Sequence, residues 1–286
     1  MYLNLRWSPG HSSPDTIVVP IMFHGIIKSG RPVENSVDIS TEQFLEFVSY
    51  AHDLGFETIT TNQLVDFLEN NALIPRRSMI LILDDRRPGT VREHFLPVLE
   101  EYNWTLTLGY ISGVVPDSEW KEMEDLASSG RLDVQAHGWL HNGSTYIQET
   151  TPEDVIRQEI FNPIPVLQKH FGYKPTAFIW PGGDFNSLGV SLARQAGYKV
   201  GFTANSRGPL LFNWIPLGVD EQAVNDPLMV LPRYWSNSAN LALDLGLKAG
   251  EEAGEYAQNN YKKEAIWYRA VCGGELIPIP TAIQTP

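Results

Sequence analysis

Short, unbroken apolar runs alternate along this chain with stretches in which apolar residues recur every three or four positions. The runs have the length of strands buried on both faces: TIVVPIMF (16–23), MILILDD (79–85), WTLTLGYIS (104–112), RLDVQAH (131–137), TAFIWPGG (176–183) and KVGFTAN (199–205). The stretches between them predict helices. TEQFLEFVSYAHDLG (41–55) puts Phe44, Phe47, Val48 and Ala51 on one face, with Ser40 or Thr41 as N-cap and Gly55 at its end. Similar patterns predict helices over 61–72, 90–103, 119–130 and 187–198. The segment 151–172 reads as one long helix that opens with Thr151 at the cap and Pro152 at the first helical position. Pro163 and Pro165 fall inside it and should kink or split it, because proline lacks the N–H the helix needs.

Strands that alternate with helices imply βαβ units and a parallel sheet, and this many units favour a closed or nearly closed α/β barrel over a short open sheet. In such a barrel the active site lies at the C-terminal ends of the strands. His24, Asp84, Asp85, His137, the 181–184 turn and Asn205 stand at predicted strand ends and should therefore face one rim. The rhythm weakens after Arg233. The chain divides on this reading into an extension (1–15), a main α/β domain (16–240), a helical segment of one or two helices (241–273) and a Pro/Thr-rich tail or linker (274–286).

Composition narrows the function classes. With 286 residues, 43% of them hydrophobic, the chain can bury a full core. Its net charge of −13 disfavours nucleic acid and anionic membrane as partners, since both need a basic face. The single cysteine, Cys272, excludes an internal disulfide and cysteine-based zinc sites. No run approaches the ~18 apolar residues of a membrane span. The N-terminus lacks the basic-then-apolar layout of a signal peptide, which suits a cytoplasmic protein and equally a secreted one whose leader has been removed. Nothing in the chain sets its oligomeric state.

Two constellations carry chemistry. Asp84 and Asp85 are adjacent, and neighbouring side chains on a strand point to opposite faces, so both can serve one site only if the strand ends between them. They read either as a helix cap or partner of Arg86 or Arg87, or as a cation ligand beside a base. His137 and His141, in HGWLH, have the i, i+4 spacing that suits two imidazoles on one metal. A zincin would need Glu where Gly138 stands, and this segment follows a strand rather than lying inside a helix. Two His and one Asp together make a three-ligand site with positions left open for water, the layout of a catalytic metal, and the other Asp can then take the water's proton.

The Asp84-Asp85 pair, HGWLH and the strand ending FIWPGG resemble, in order and spacing, the metal-dependent polysaccharide deacetylases of carbohydrate esterase family 4. The intervening HFLPVLEEYNWTLTLGYISG and the later AGYKVGFTAN are similar too, so the likeness covers roughly 16–236. The resemblance implies a distorted or incomplete (β/α)7–8 barrel and hydrolysis of N-acetyl, or O-acetyl, groups of a polysaccharide such as poly-N-acetylglucosamine, chitin or peptidoglycan. It implies Asp84 as general base, Asp85, His137 and His141 as ligands of a divalent metal, usually zinc, and an extracellular or cell-envelope setting. Pro181 and Gly182 match the motif that lines the groove, and Trp180 is placed to flank a sugar or to fill the core.

The chain departs from the family pattern at named positions. Arg86 stands where glycine is usual, and it could reshape the groove, read an anionic substrate or mark lost activity. Ile179 stands where an arginine often orients the base; Arg233, in LPRYW, is the candidate for that work. The late Leu-His motif that supplies a general acid is not evident. His24, in FHGI, is similar to an element of the poly-N-acetylglucosamine branch and is the candidate acid or substrate ligand, with a structural histidine as the other reading. These departures keep two alternatives open: a glycan-binding domain without turnover, and a metal hydrolase of a small amide.

Overall fold

The computed structural model describes residues 10–273. Six parallel strands follow one another around a curled sheet: β1 (Ile17–Phe23), β2 (Arg77–Asp84), β3 (Leu106–Tyr110), β4 (Leu132–Ala136), β5 (Ala177–Ile179) and β6 (Val200–Phe202). The stretch 231–235 bridges the gap between the two ends. Leu231 pairs with Phe202, and β7 (Tyr234–Trp235) pairs with Ile21 and Met22 of β1. The curl is an incomplete barrel rather than a regular one, because its lower half is splayed. There the short strands Glu57–Thr58 and Leu210–Leu211 take the remaining edges of β2 and β1, the latter antiparallel.

The alternation of side chains along each strand sorts the core into two apolar clusters. Ile17, Val19, Ile21, Phe23, Met79, Leu81 and Leu83 point outward against the helices. Val18, Ile80, Ile82, Ala177, Ile179, Val200, Phe202 and Leu231 point into the curl. The lower end is stoppered by the helix α2 (Thr61–Asn70), whose Thr61 donates through backbone N–H and hydroxyl to Asp133, each at 2.7 Å.

The helices form where periodicity places them. α1 (Thr41–Asp53) begins with a capping box between Ser40 and Gln43, and buries Phe44, Phe47, Val48 and Ala51 as expected. Residues 88–101 form one helical stretch with a π-segment at Val91–Phe95. α3 (Asp117–Ala127) follows β3. The predicted long helix is split at Pro163 into α4 (Glu153–Phe161) and α5 (Pro163–Phe171). Thr151 does not cap it, contrary to expectation. Its hydroxyl donates to Tyr146 and accepts from the Gln148 N–H, closing a turn of its own, and Pro152 takes the cap position. α6 (Ser187–Ala196) is capped by Asn186, whose side chain accepts from the Gly189 N–H.

The segment after Arg233 forms one helix, α7 (Ala239–Cys272), rather than two. It lies across the outer face of β1 at glycines, where a Cβ on Gly246 would stand 2.6 Å from Val19 and one on Gly250 would stand 2.8 Å from the Asp15 carbonyl. No helix among the described residues is long and apolar enough to cross a membrane. The tail 274–286 and most of the extension 1–15 lie outside the described residues.

Candidate metal and catalytic site

The parity that sorts the core also aims the polar residues. Asp84 continues the inward series Ile80, Ile82 to the last residue of β2. His137 continues the series Asp133, Gln135 one step beyond β4. Both enter the mouth of the curl, Asp84 2% and His137 2% exposed. Inward-facing Gly109 on β3 leaves room between them: a Cβ there would lie 3.1 Å from Asp84 Oδ1, 3.4 Å from His137 Cβ and 2.8 Å from Ile179 Cδ1. Asp85 would point outward if β2 continued. Instead the chain turns into the left-handed region at Asp85 (φ 73°), so both carboxylates serve one rim.

Arg233, the residue before β7, is 1% exposed and donates Nη1 to both Asp84 oxygens, at 2.7 and 2.8 Å. Its Nε donates to the Thr203 carbonyl at 2.8 Å, which fixes the guanidinium. Burial alone would push the Asp84 carboxyl up; the positive charge of Arg233, with smaller contributions from His137 and His24, outweighs it and holds the group at about 2. Asp84 is therefore ionised at neutral pH. His24 follows β1 and brings its Nε2 3.8 Å from Asp84 Oδ2, with its ring stacked on Trp235. Its Nδ1 is buried without a hydrogen-bond partner, so Nε2 is the ring atom turned to the mouth.

Beside this pair, Asp85, His137 and His141 bring ligand-type atoms within 4.8 Å of one another. His137 Nδ1 stands 2.8 Å from the Ile179 carbonyl. A carbonyl only accepts, so Nδ1 carries the proton and the Nε2 lone pair is left toward Asp85 Oδ1, 3.9 Å away. Burial, reinforced by His141 and opposed by the two aspartates, pushes the His137 imidazolium down to about 4, so the ring is neutral at pH 7, the form a metal binds. Two donors on a tetrahedral zinc-type ion stand about 3.4 Å apart, so the three ligand atoms, all within 4.8 Å of one another, would close on an ion through shifts of about an ångström. The donor set of two imidazoles and a carboxylate suits a borderline divalent ion.

The remaining predicted residues fall differently. Pro181 is buried in the turn after β5, and Gly182 (φ 65°) is exposed there against Tyr146, the ring that also meets His141. Trp180 does not flank the mouth. It has the outward parity of Phe178, is fully buried, and donates its indole N–H to the Met229 carbonyl at 2.7 Å. Asn205 turns its amide to Glu221. Arg86 donates to the Val114 carbonyl at 3.2 Å and lies 3.9 Å from Glu119. Of three further residues close to the site, only Arg87 was named in the sequence, as a partner of the aspartate pair. Arg87 donates to Asp85 Oδ2 at 2.9 Å, which leaves Oδ1 to face His137. Gly109 opens the floor, and Glu159 of α4 accepts from the backbone of the HGWLH loop. Only Arg87 carried a signal, its place two residues beyond Asp85.

The C-terminal rim of the α/β barrel thus carries an Asp–Arg pair beside an Asp–His–His triad of the kind that could hold a metal ion. Residues 74–201 match the model of the polysaccharide deacetylase family. YxkH of Bacillus subtilis (strain 168), a protein named for the same family, is 22% identical over 191 residues, covering 65% of this chain and 64% of YxkH. The poly-β-1,6-N-acetyl-D-glucosamine N-deacetylase of Escherichia coli (strain K12) is 19% identical over 234 residues, covering 68% of this chain and 34% of that enzyme. The chain thus spans under two thirds of the length of both relatives. The deacetylase PplD of Streptococcus pyogenes, solved in complex with acetate, shares the fold with a TM-score of 0.65 at 20% identity, over 81% of this chain and 98% of that one.

Proposed function

We propose that this protein is a metal-dependent deacetylase that hydrolyses N-acetyl groups of a β-linked N-acetylglucosamine polysaccharide in an extracellular or cell-envelope setting, with residues 16–240 as the catalytic unit. The observation that carries the reading is the pairing of an ionised, arginine-held Asp84 with the Asp85–His137–His141 triad across one rim. Asp85, His137 and His141 would hold the ion, for which the donor set favours zinc. A bound divalent ion supplies Lewis acidity, which lowers the pKa of water and polarises a carbonyl.

The chain's own residues supply the rest. Asp84 takes the proton of the attacking water. An aspartate held near 2 is a weak base, adequate for a water already made acidic and always in its ionised form at neutral pH. Arg233 keeps the carboxylate oriented and charged. His24, through Nε2, gives a proton to the nitrogen that leaves, so water and the amide become acetate and a free amine. Gly182, on its exposed turn, borders the groove where the sugar lies, and Pro181 beneath shapes that turn.

The test is acetate release over a panel of β-1,6- and β-1,4-linked N-acetylglucosamine oligomers, peptidoglycan and acetylated xylan. The proposal predicts turnover on the N-acetylglucosamine oligomers that exceeds turnover on the O-acetylated xylan by at least tenfold. Release from xylan alone would reassign the enzyme to O-acetyl esters, and release from none of the panel would leave a binding domain.

A further inference from the structure

Glu159 is the one carboxylate on α4 that is fully withdrawn from solvent, at 1% exposure. A buried carboxylate is costly unless its oxygens are satisfied. Here the HGWLH loop satisfies them. Trp139 N–H donates to Oε2 at 2.8 Å, Leu140 N–H to Oε1 at 2.9 Å and to Oε2 at 3.2 Å, and His141 N–H to Oε2 at 3.3 Å. Three successive backbone donors converging on one anion form a nest, a concavity that left-handed residues create. The loop has one at each end, Gly138 at φ 78° and His141 at φ 49°. The approach is close enough that a Cβ on Gly138 would stand 2.5 Å from Glu159 Oε2.

We infer that Glu159 is a positioning residue for the metal triad: its carboxylate holds the 138–141 loop in the conformation that swings His141 back over His137. This rests on the reading of Asp85, His137 and His141 as metal ligands. His141 departs from ordinary backbone geometry at a cost, and a non-glycine residue stays there only where the surroundings over-determine it. The bonds to Glu159 supply that constraint, and the histidine rings come to 4.4 Å. The carboxylate also places a formal negative charge behind a loop that presents neutral imidazoles to a cation. It touches neither ring, so its influence passes through the backbone.

Cobalt titration of the metal-free protein separates this role from a purely structural one. Glu159→Gln offers one acceptor where three donors converge, and its amide NH2 opposes the loop N–H groups. Glu159→Asp keeps the charge but withdraws it by one methylene. Both variants are expected to keep the wild-type near-ultraviolet dichroism without metal, to bind cobalt 10–100-fold more weakly, as loss of a partner behind a ligand typically does, and to show a shifted cobalt d–d absorption band. Glu153→Gln on the same helix, at an exposed carboxylate paired with Arg157, should leave affinity and spectrum unchanged. Wild-type cobalt affinity and spectrum in folded Glu159→Gln would overturn the inference, as would failure of both Glu159 variants to fold, which would make Glu159 a residue of the fold alone. A wild-type protein that binds no cobalt would instead overturn the metal reading beneath it.

Discussion

Asp84→Asn is expected to lower acetate release by about 10²–10⁴-fold, the usual worth of a general base, and to leave binding of a divalent ion in place. The two halves of this result belong together. Asparagine keeps the shape of the side chain and one oxygen for Arg233, but cannot take a proton from water. The triad does not include Asp84, so metal affinity should change by less than the activity does. Steady-state acetate release and equilibrium metal titration on the same preparation check it. A variant with full turnover would remove Asp84 from the base role, and one that lost the ion along with activity would make it a ligand.

Arg233→Met is the substitution with the largest expected effect on stability. It removes the one full counter-charge in contact with a carboxylate that is 2% exposed, leaving Asp84 with only two histidine nitrogens at 3.8 Å. Breaking a buried pair from one side typically costs 3–5 kcal/mol, about 6–20 °C in melting temperature for a domain of this size. Without the guanidinium, burial dominates and the Asp84 carboxyl rises from about 2 toward and past the ordinary carboxylate range. The added loss of stability therefore grows as pH rises from about 2 through the ordinary carboxylate range, where the unpaired group must ionise, and shrinks in acid, where it keeps its proton. The double variant Asp84→Asn/Arg233→Met should be more stable than the sum of the single changes, because it leaves no buried charge without a partner. Thermal unfolding of the four proteins measures this, and additive changes would contradict the coupling.

Much of this site was legible in the chain, for reasons that can be named. The apolar run before Asp84 marks a strand buried on both faces, and the polar pairs at strand ends mark the rim. The i, i+4 histidines bring their rings together although they lie on a loop and not a helix, because left-handed turns at Gly138 and His141 fold the loop back. What periodicity could not decide was which parity faces inward. In TAFIWPGG every position is apolar, so nothing local says that Ile179 lines the curl and Trp180 packs outside; only the register with His137 settles it. Thr151 has the composition of a cap and is engaged in a turn instead. Glu159 looks like any helix carboxylate, since its partners are backbone N–H groups that carry no signature in the sequence. The side chain of Arg86 leaves toward Val114 and Glu119, a course visible only in three dimensions.

The most direct test strips the protein with a chelator and follows acetate release from an N-acetylglucosamine oligomer as zinc is titrated back. The proposed metal mechanism predicts no release from the stripped protein, recovery that saturates at one ion per chain, and no recovery in His141→Ala at the same zinc concentrations. Full release by the stripped protein, or recovery in His141→Ala with wild-type zinc dependence, would contradict it.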